Sequence, residues 1–184
     1  MEKDRKWWLF KQNKGVSLVE LIVVIGIIAV LTGVAVLSFN VIPKSRVRSC
    51  LRIIVSTIEG TRMDALSFCD AEVKIYCNSE GVYADSIVYK DAGTASIATE
   101  KIGGADMEVY FLTNESGATE VLLEEGDGII FSFDRSSGGF ECLEGMLGGS
   151  SVVGNVYCKE IKVVSGDITG EIELVPLTGK VYIK

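Results

Sequence analysis

Apolar and polar positions divide this chain into stretches that follow three different rules. Val16 to Ile42 is almost wholly apolar, with Glu20 its sole charge, and Leu21–Ile42 forms an uncharged run of 22 residues. At about 1.5 Å per residue a helix over this segment reaches roughly 40 Å, enough to cross a bilayer with some tilt. The Val/Ile richness suits a strand, but in lipid only a helix satisfies its own backbone within one segment. After Pro43 the spacing becomes amphipathic. Val47, Leu51, Ile54, Ile58, Ala65 and Phe68 recur every three or four residues, with Arg48, Arg52, Glu59 and Arg62 elsewhere on the wheel. Because this period continues beyond Pro43, the proline is expected to kink one helix of about fifty residues rather than end it.

From Glu72 the pattern turns to β-branched and aromatic stretches bounded by glycine or Asn/Asp/Ser turns. Val73–Tyr76, Val82–Tyr89, Glu108–Leu112, Val121–Leu123, Ile129–Phe133, Val156–Val164, Ile168–Val175 and Lys180–Ile183 are the predicted strands. Ser165-Gly166-Asp167 and Thr178-Gly179 predict hairpin turns, and the Gly/Ser-rich stretch Gly145–Gly154 predicts an exposed loop. The expected class is α+β: a long N-terminal helix, half membrane-spanning and half amphipathic, packed on a C-terminal antiparallel β-sheet domain. The corresponding divisions are 1–15, 16–42, 43–69 and 70–184.

Charge sharpens this division. Residues 1–15 carry Lys3, Arg5, Lys6, Lys11 and Lys14 against Glu2 and Asp4, a net +3, together with Trp7 and Trp8, which suit a membrane interface. Residues 43–68 are again +3, whereas from Cys69 onward 8 basic and 20 acidic residues leave −12. An acidic head on a basic neck should repel nucleic acid, so no nucleic-acid partner is expected. Flanking charges only modestly favour a leader on the cytoplasmic side, since Lys44, Arg46, Arg48 and Arg52 follow the run.

Candidate chemistry is sparse. With no histidine, the chain lacks the commonest metal ligand and general base. Cys69, Cys77, Cys142 and Cys158 could form two disulfides with three connectivities, or remain free core thiols. Their spacing does not fit zinc or redox sites. Glu124–Gly128 lacks the spacing of a calcium loop and is expected to be a solvated acidic turn. No nucleophile, base and orienting group stand together, so neither enzymatic activity nor a cofactor or metal is expected.

The junction Lys14-Gly15-Val16-Ser17-Leu18-Val19-Glu20-Leu21 carries the strongest signal. A peptidase at the membrane surface needs a small, flexible residue before the cut, and Gly15 is one. Here the candidate cut precedes the apolar core, which stays on the mature chain, unlike an ordinary secretory signal. Cutting there exposes an α-amine on Val16. When such helices bundle, Glu20 of one subunit can pair with that amine on a neighbour, since an unpaired carboxylate in hydrocarbon is costly. The pairing would set axial register between otherwise featureless apolar rods.

Lys-Gly followed by Val-Ser-Leu-Val-Glu-Leu and an Ile/Val-rich helix resembles the class III signal of type IV pilins and pseudopilins. The resemblance implies cleavage after Gly15 by a membrane prepilin peptidase, usually with methylation of Val16, and assembly through Glu20 with other pilin or pseudopilin subunits. Val16 stands where that family most often has phenylalanine, and Pro43 lies later than the proline of many major pilins. Arg62-Met63-Asp64-Ala65, Phe131–Asp134 with Gly138-Gly139, and Thr178–Val181 are also similar to H-type minor pseudopilins. The implied object is a single-pass protein of the inner or cytoplasmic membrane, in contact with lipid, its head outside and its filament on the outer side. Rival readings are a signal-anchored or secreted binding domain, with Gly33-Val34-Ala35 as the cleavage site, and a DNA-uptake competence pilin.

Overall fold

The computed structural model describes residues 17–39, 41–67, 70–91, 94–114, 118–152 and 155–184, with the side chains of 34–39, 41–43, 91 and 94 also left outside the description. Helix α1 spans Leu18–Phe39 and helix α2 spans Val41–Leu66. The two helical stretches lie on either side of Asn40, which is outside the described residues, and the chain divides into units at Asn40/Val41. Pro43 lies within α2, and the helix runs on past it to Leu66, so the proline does not end the helix.

Among the described residues of the second unit, Val41–Lys184, there are eleven strands: β1 Asp70–Asn78, β2 Gly81–Asp91, β3 Thr94–Gly104, β4 Glu108–Thr113, β5 Val121–Leu122, β6 Gly128–Ser132, β7 Glu144–Leu147, β8 Ser150–Ser151, β9 Cys158–Ser165, β10 Ile168–Val175 and β11 Lys180–Ile183. They form two antiparallel sheets, ordered β3-β2-β1-β6-β7-β8 and β11-β10-β9-β4-β5. The α+β class is as predicted, with the head built on two sheets.

Alternation along the strands explains the core. In β1, Val73 and Ile75 point inward and pair across the ladder with Phe131 and Ile129 of β6. In the second sheet Val109 and Phe111 face Val163 and Ile161. The sheets meet where the Phe111 and Phe131 rings approach to 6.3 Å. Helix α2 closes the remaining side against β1–β3 of one sheet and β9–β11 of the other. Its buried stripe is Val47, Cys50, Leu51, Ile54, Ile58, Thr61 and Ala65, while Arg48, Arg52 and Glu59 stay exposed. Phe68, predicted for that stripe, lies outside the described residues.

Gly170 of β10 lets the helix come close, since a Cβ there would sit 2.5 Å from the Leu51 side chain and 2.9 Å from that of Val47. Thr61 answers its buried hydroxyl within the same interface, 2.8 Å from the Thr57 carbonyl and 2.7 Å from the Ser86 hydroxyl.

One prediction needs correction, and one strand goes beyond the predicted set. The expected loop Gly145–Gly154 contains the β7–β8 hairpin, turning at Gly148 and Gly149. Strand β3 was not predicted, because Thr94–Lys101 is small and polar. Its pairing with β2 makes it a strand, an override of weak propensity by the neighbouring ladder.

Candidate functional site

Helix α1 begins at a cap. The Ser17 hydroxyl accepts a hydrogen bond from the Glu20 N–H at 3.1 Å, and the Ser17 carbonyl accepts one from Leu21 N–H at 3.1 Å. Ser17-x-x-Glu20 is the sequence of a capping box, a signal legible in the chain that the sequence reading passed over. Glu20 therefore sits in the first helical turn, where a carboxylate complements the helix dipole by about 0.3–1 kcal/mol. Gly15 and Val16, the predicted cleavage and methylation positions, lie outside the described residues.

Beyond Glu20 the helix is apolar around its whole circumference. Eleven large apolar side chains between Leu18 and Leu31 are 46–74% exposed. Full burial of Leu, Ile or Val is worth about 1.5–3 kcal/mol each, so sequestering this half-exposed cylinder is worth of order 10 kcal/mol. An all-round apolar helix requires lipid or other helices. Among the described residues no helix is long and apolar enough to cross a membrane. The described side chains of α1 stop at Gly33, whereas the uncharged run of the sequence continues to Ile42.

Cys50, Cys77, Cys142 and Cys158 hold free thiols, and Cys69 lies outside the described residues. Burial pushes the Cys50 thiol up to about 12 and raises Cys158 further, so both are inert core groups. Cys77 is raised as well, by burial first and then by Glu125 and Asp127.

At the far end of α2, three separate sequence elements converge. The Arg62 Nε–H donates to the Gly138 carbonyl at 2.9 Å. Gly138 belongs to the turn after β6, where its N–H donates to the Asp134 carbonyl and Asp134 N–H donates to that of Gly139. Phe140 N–H in turn donates to Pro176 in the β10–β11 turn. Helix, first sheet and second sheet are thus tied at one point by the elements quoted for the H-type resemblance. Arg62 is a packing group, as its exposed neighbour Asp64 is not.

The turn is held by Asp134, which accepts from the Ser136 and Ser137 hydroxyls at 2.6 and 2.7 Å and from the Ser137 and Ser136 N–H groups at 2.8 and 3.1 Å. These bonds, the Ser136 hydroxyl foremost, hold its carboxyl down to about 2. A depressed folded value means that this contribution is complete above the unfolded value near 4 and is lost as pH falls from there through about 2. Carboxyl NMR of the chain should place the Asp134 midpoint near 2, and Ser136→Ala with Ser137→Ala should move it upward. A midpoint near 4 in the unaltered protein would contradict this geometry.

The acidic turn Glu124–Gly128 is only partly solvated as expected. Glu124 and Glu125 are exposed, but Asp127 is 4% exposed. Its carboxylate accepts from the N–H groups of Gly148 at 2.7 Å, Glu124 at 3.1 Å and Gly149 at 3.3 Å, pinning the β7–β8 turn. Asp127→Ala would strand these donors, at a cost of roughly 3 kcal/mol. Asp127→Asn keeps one acceptor oxygen and should cost about a third of that. Urea unfolding midpoints of the two variants check the order.

Residues 10–36 match the family model of the prokaryotic N-terminal methylation motif. That motif is the prepilin-like signal of type IV pilins and pseudopilins, so the chain carries the mark of a type IV pilin-like prepilin substrate. It implies processing by prepilin peptidase and assembly with other pilin subunits. No curated protein and no solved structure matches the chain.

Proposed function

We propose that this chain is a structural subunit, cleaved after Gly15, methylated at Val16, held in the membrane by its apolar run and assembled into a type IV pilus-like or type II secretion pseudopilus filament. The observation that carries the proposal is the methylation motif lying on a helix that is apolar all round, with Glu20 as its one charge. In the membrane the cylinder is surrounded by lipid. In the filament it is surrounded by the same helices of neighbouring subunits, and Glu20 meets the amine of an adjacent Val16. The head stays on the outer side of the membrane. Convergence of Arg62, Gly138-Gly139 and Thr178-Gly179 supports an H-type minor pseudopilin as the particular subunit.

Intact mass spectrometry tests the processing step. Chain made with prepilin peptidase should begin at a methylated Val16, and chain made without it should keep Met1. The same terminus in both preparations would overturn the proposal.

A further inference from the structure

We propose that Lys44, Arg48 and Arg52 form a docking stripe for the headgroups of anionic phospholipids. This inference rests on the membrane-anchored reading above and adds a lipid class to it. The three residues follow each other at i, i+4 and i+8 on α2, so at 100° per residue they occupy one flank within about 80° of arc. All three are exposed, and they lie to the side of the buried stripe Val47, Leu51, Ile54 and Ile58. No carboxylate among the described residues lies within ion-pairing distance of any of them. The neighbouring Arg46, on the opposite flank, is by contrast committed to Asp106 at 2.8 Å.

An acidic head offers many carboxylates, and the fold brings none of the described ones into ion-pairing distance of this stripe. Its position in the chain supplies the partner. Lys44 comes two residues after Ile42, the last of the uncharged run, and Arg52 follows about 12 Å further along the helix. Headgroup layers extend several ångströms beyond the hydrocarbon, and surface potential decays over about 8–10 Å in physiological salt. Whatever the tilt of the helix, all three cations therefore stay within about 15 Å of the end of the apolar run, inside the reach of anionic phosphate. Each cation near such a surface is worth about a fivefold preference for anionic lipid. Arg52 is the furthest of the three along the chain from the apolar run, so the set should give an enrichment of roughly tenfold to fiftyfold.

The test uses the full chain in nanodiscs of phosphatidylcholine and phosphatidylglycerol, with the lipids retained on release counted by native mass spectrometry. The unaltered chain should hold phosphatidylglycerol at about ten times its bulk ratio or more, and less when the discs are prepared in 0.5 M salt, where the Debye length shrinks to about 4 Å. The triple variant Lys44→Gln, Arg48→Gln, Arg52→Gln should fall to the bulk ratio. Lys44→Arg with Arg48→Lys and Arg52→Lys should keep the enrichment, which separates charge from any packing role of these side chains. Equal enrichment in the glutamine variant would overturn the proposal. So would self-association in pure phosphatidylcholine discs that the glutamine variant abolishes, since that assigns the stripe to a second copy. A chain that fails to enter the discs at all contradicts the membrane-anchored reading instead, a distinguishable result.

Discussion

Chain carrying Gly179→Ala, solubilised in detergent, should unfold at markedly lower urea than the unaltered protein. Gly179 has φ 62°, and a Cβ there would lie 1.8 Å from the Gly138 carbonyl oxygen and 2.7 Å from Arg62 Nε. The left-handed conformation alone costs about 1 kcal/mol. The clash adds more, because the obstacle is backbone and relief means moving one turn away from the other. That movement also breaks the Arg62–Gly138 bond, so the total is roughly 3–5 kcal/mol of a stability that for a domain is about 5–15 kcal/mol. Gly126→Ala is the control: φ is 93° there, but nothing lies within 4 Å of the added carbon. Its cost should stay near 1 kcal/mol. Equal midpoints for the two variants would mean that the three-way junction does not hold the head together.

Glu20→Leu should leave membrane insertion intact and remove the subunit from filaments, with at least a tenfold fall in the sheared fraction. Insertion persists because the change makes the helix more apolar. Assembly fails because the carboxylate is the group that meets the neighbour's amine on the proposed function, and losing one partner of a buried pair costs about 3–5 kcal/mol. Glu20 also occupies the capped first turn, but that role is worth about 0.3–1 kcal/mol and is too small to explain such a loss. Ser17→Ala separates the two. It removes the cap acceptor at about 1 kcal/mol, keeps the charge, and should assemble normally. Wild-type incorporation of Glu20→Leu would refute the pairing role.

The parts of this architecture that were legible in the sequence are those with a strong period. The α2 stripe falls on the predicted residues from Val47 to Ala65, and β10 and β11 run over the predicted Ile168–Val175 and Lys180–Ile183. The methylation motif was legible for a different reason: a glycine, a short polar step and a lone acid on an apolar run is a dense local pattern. What escaped was decided at long range. Strand β3 owes its conformation to the ladder with β2, and the β7–β8 hairpin to hydrogen bonds from β6 and to the Asp127 carboxylate 21 residues away from Gly148. Two packed sheets cannot be told from one by alternation alone, because each strand shows only that one face is buried. Asp127 looked like its exposed neighbours Glu124 and Glu125, since composition does not reveal which carboxylate finds backbone donors.

The place of α2 between early and late strands governs the order in which the polypeptide can mature. This helix leaves the ribosome before any of the described strands, yet about half of its bed is β9–β11, which follow it by some ninety residues or more. Val47 and Leu51 settle over Gly170, more than a hundred residues downstream, and stay uncovered until β10 has been made. Chains cut short before β10 would thus present a greasy ridge to proteases and chaperones, while completed chains conceal it.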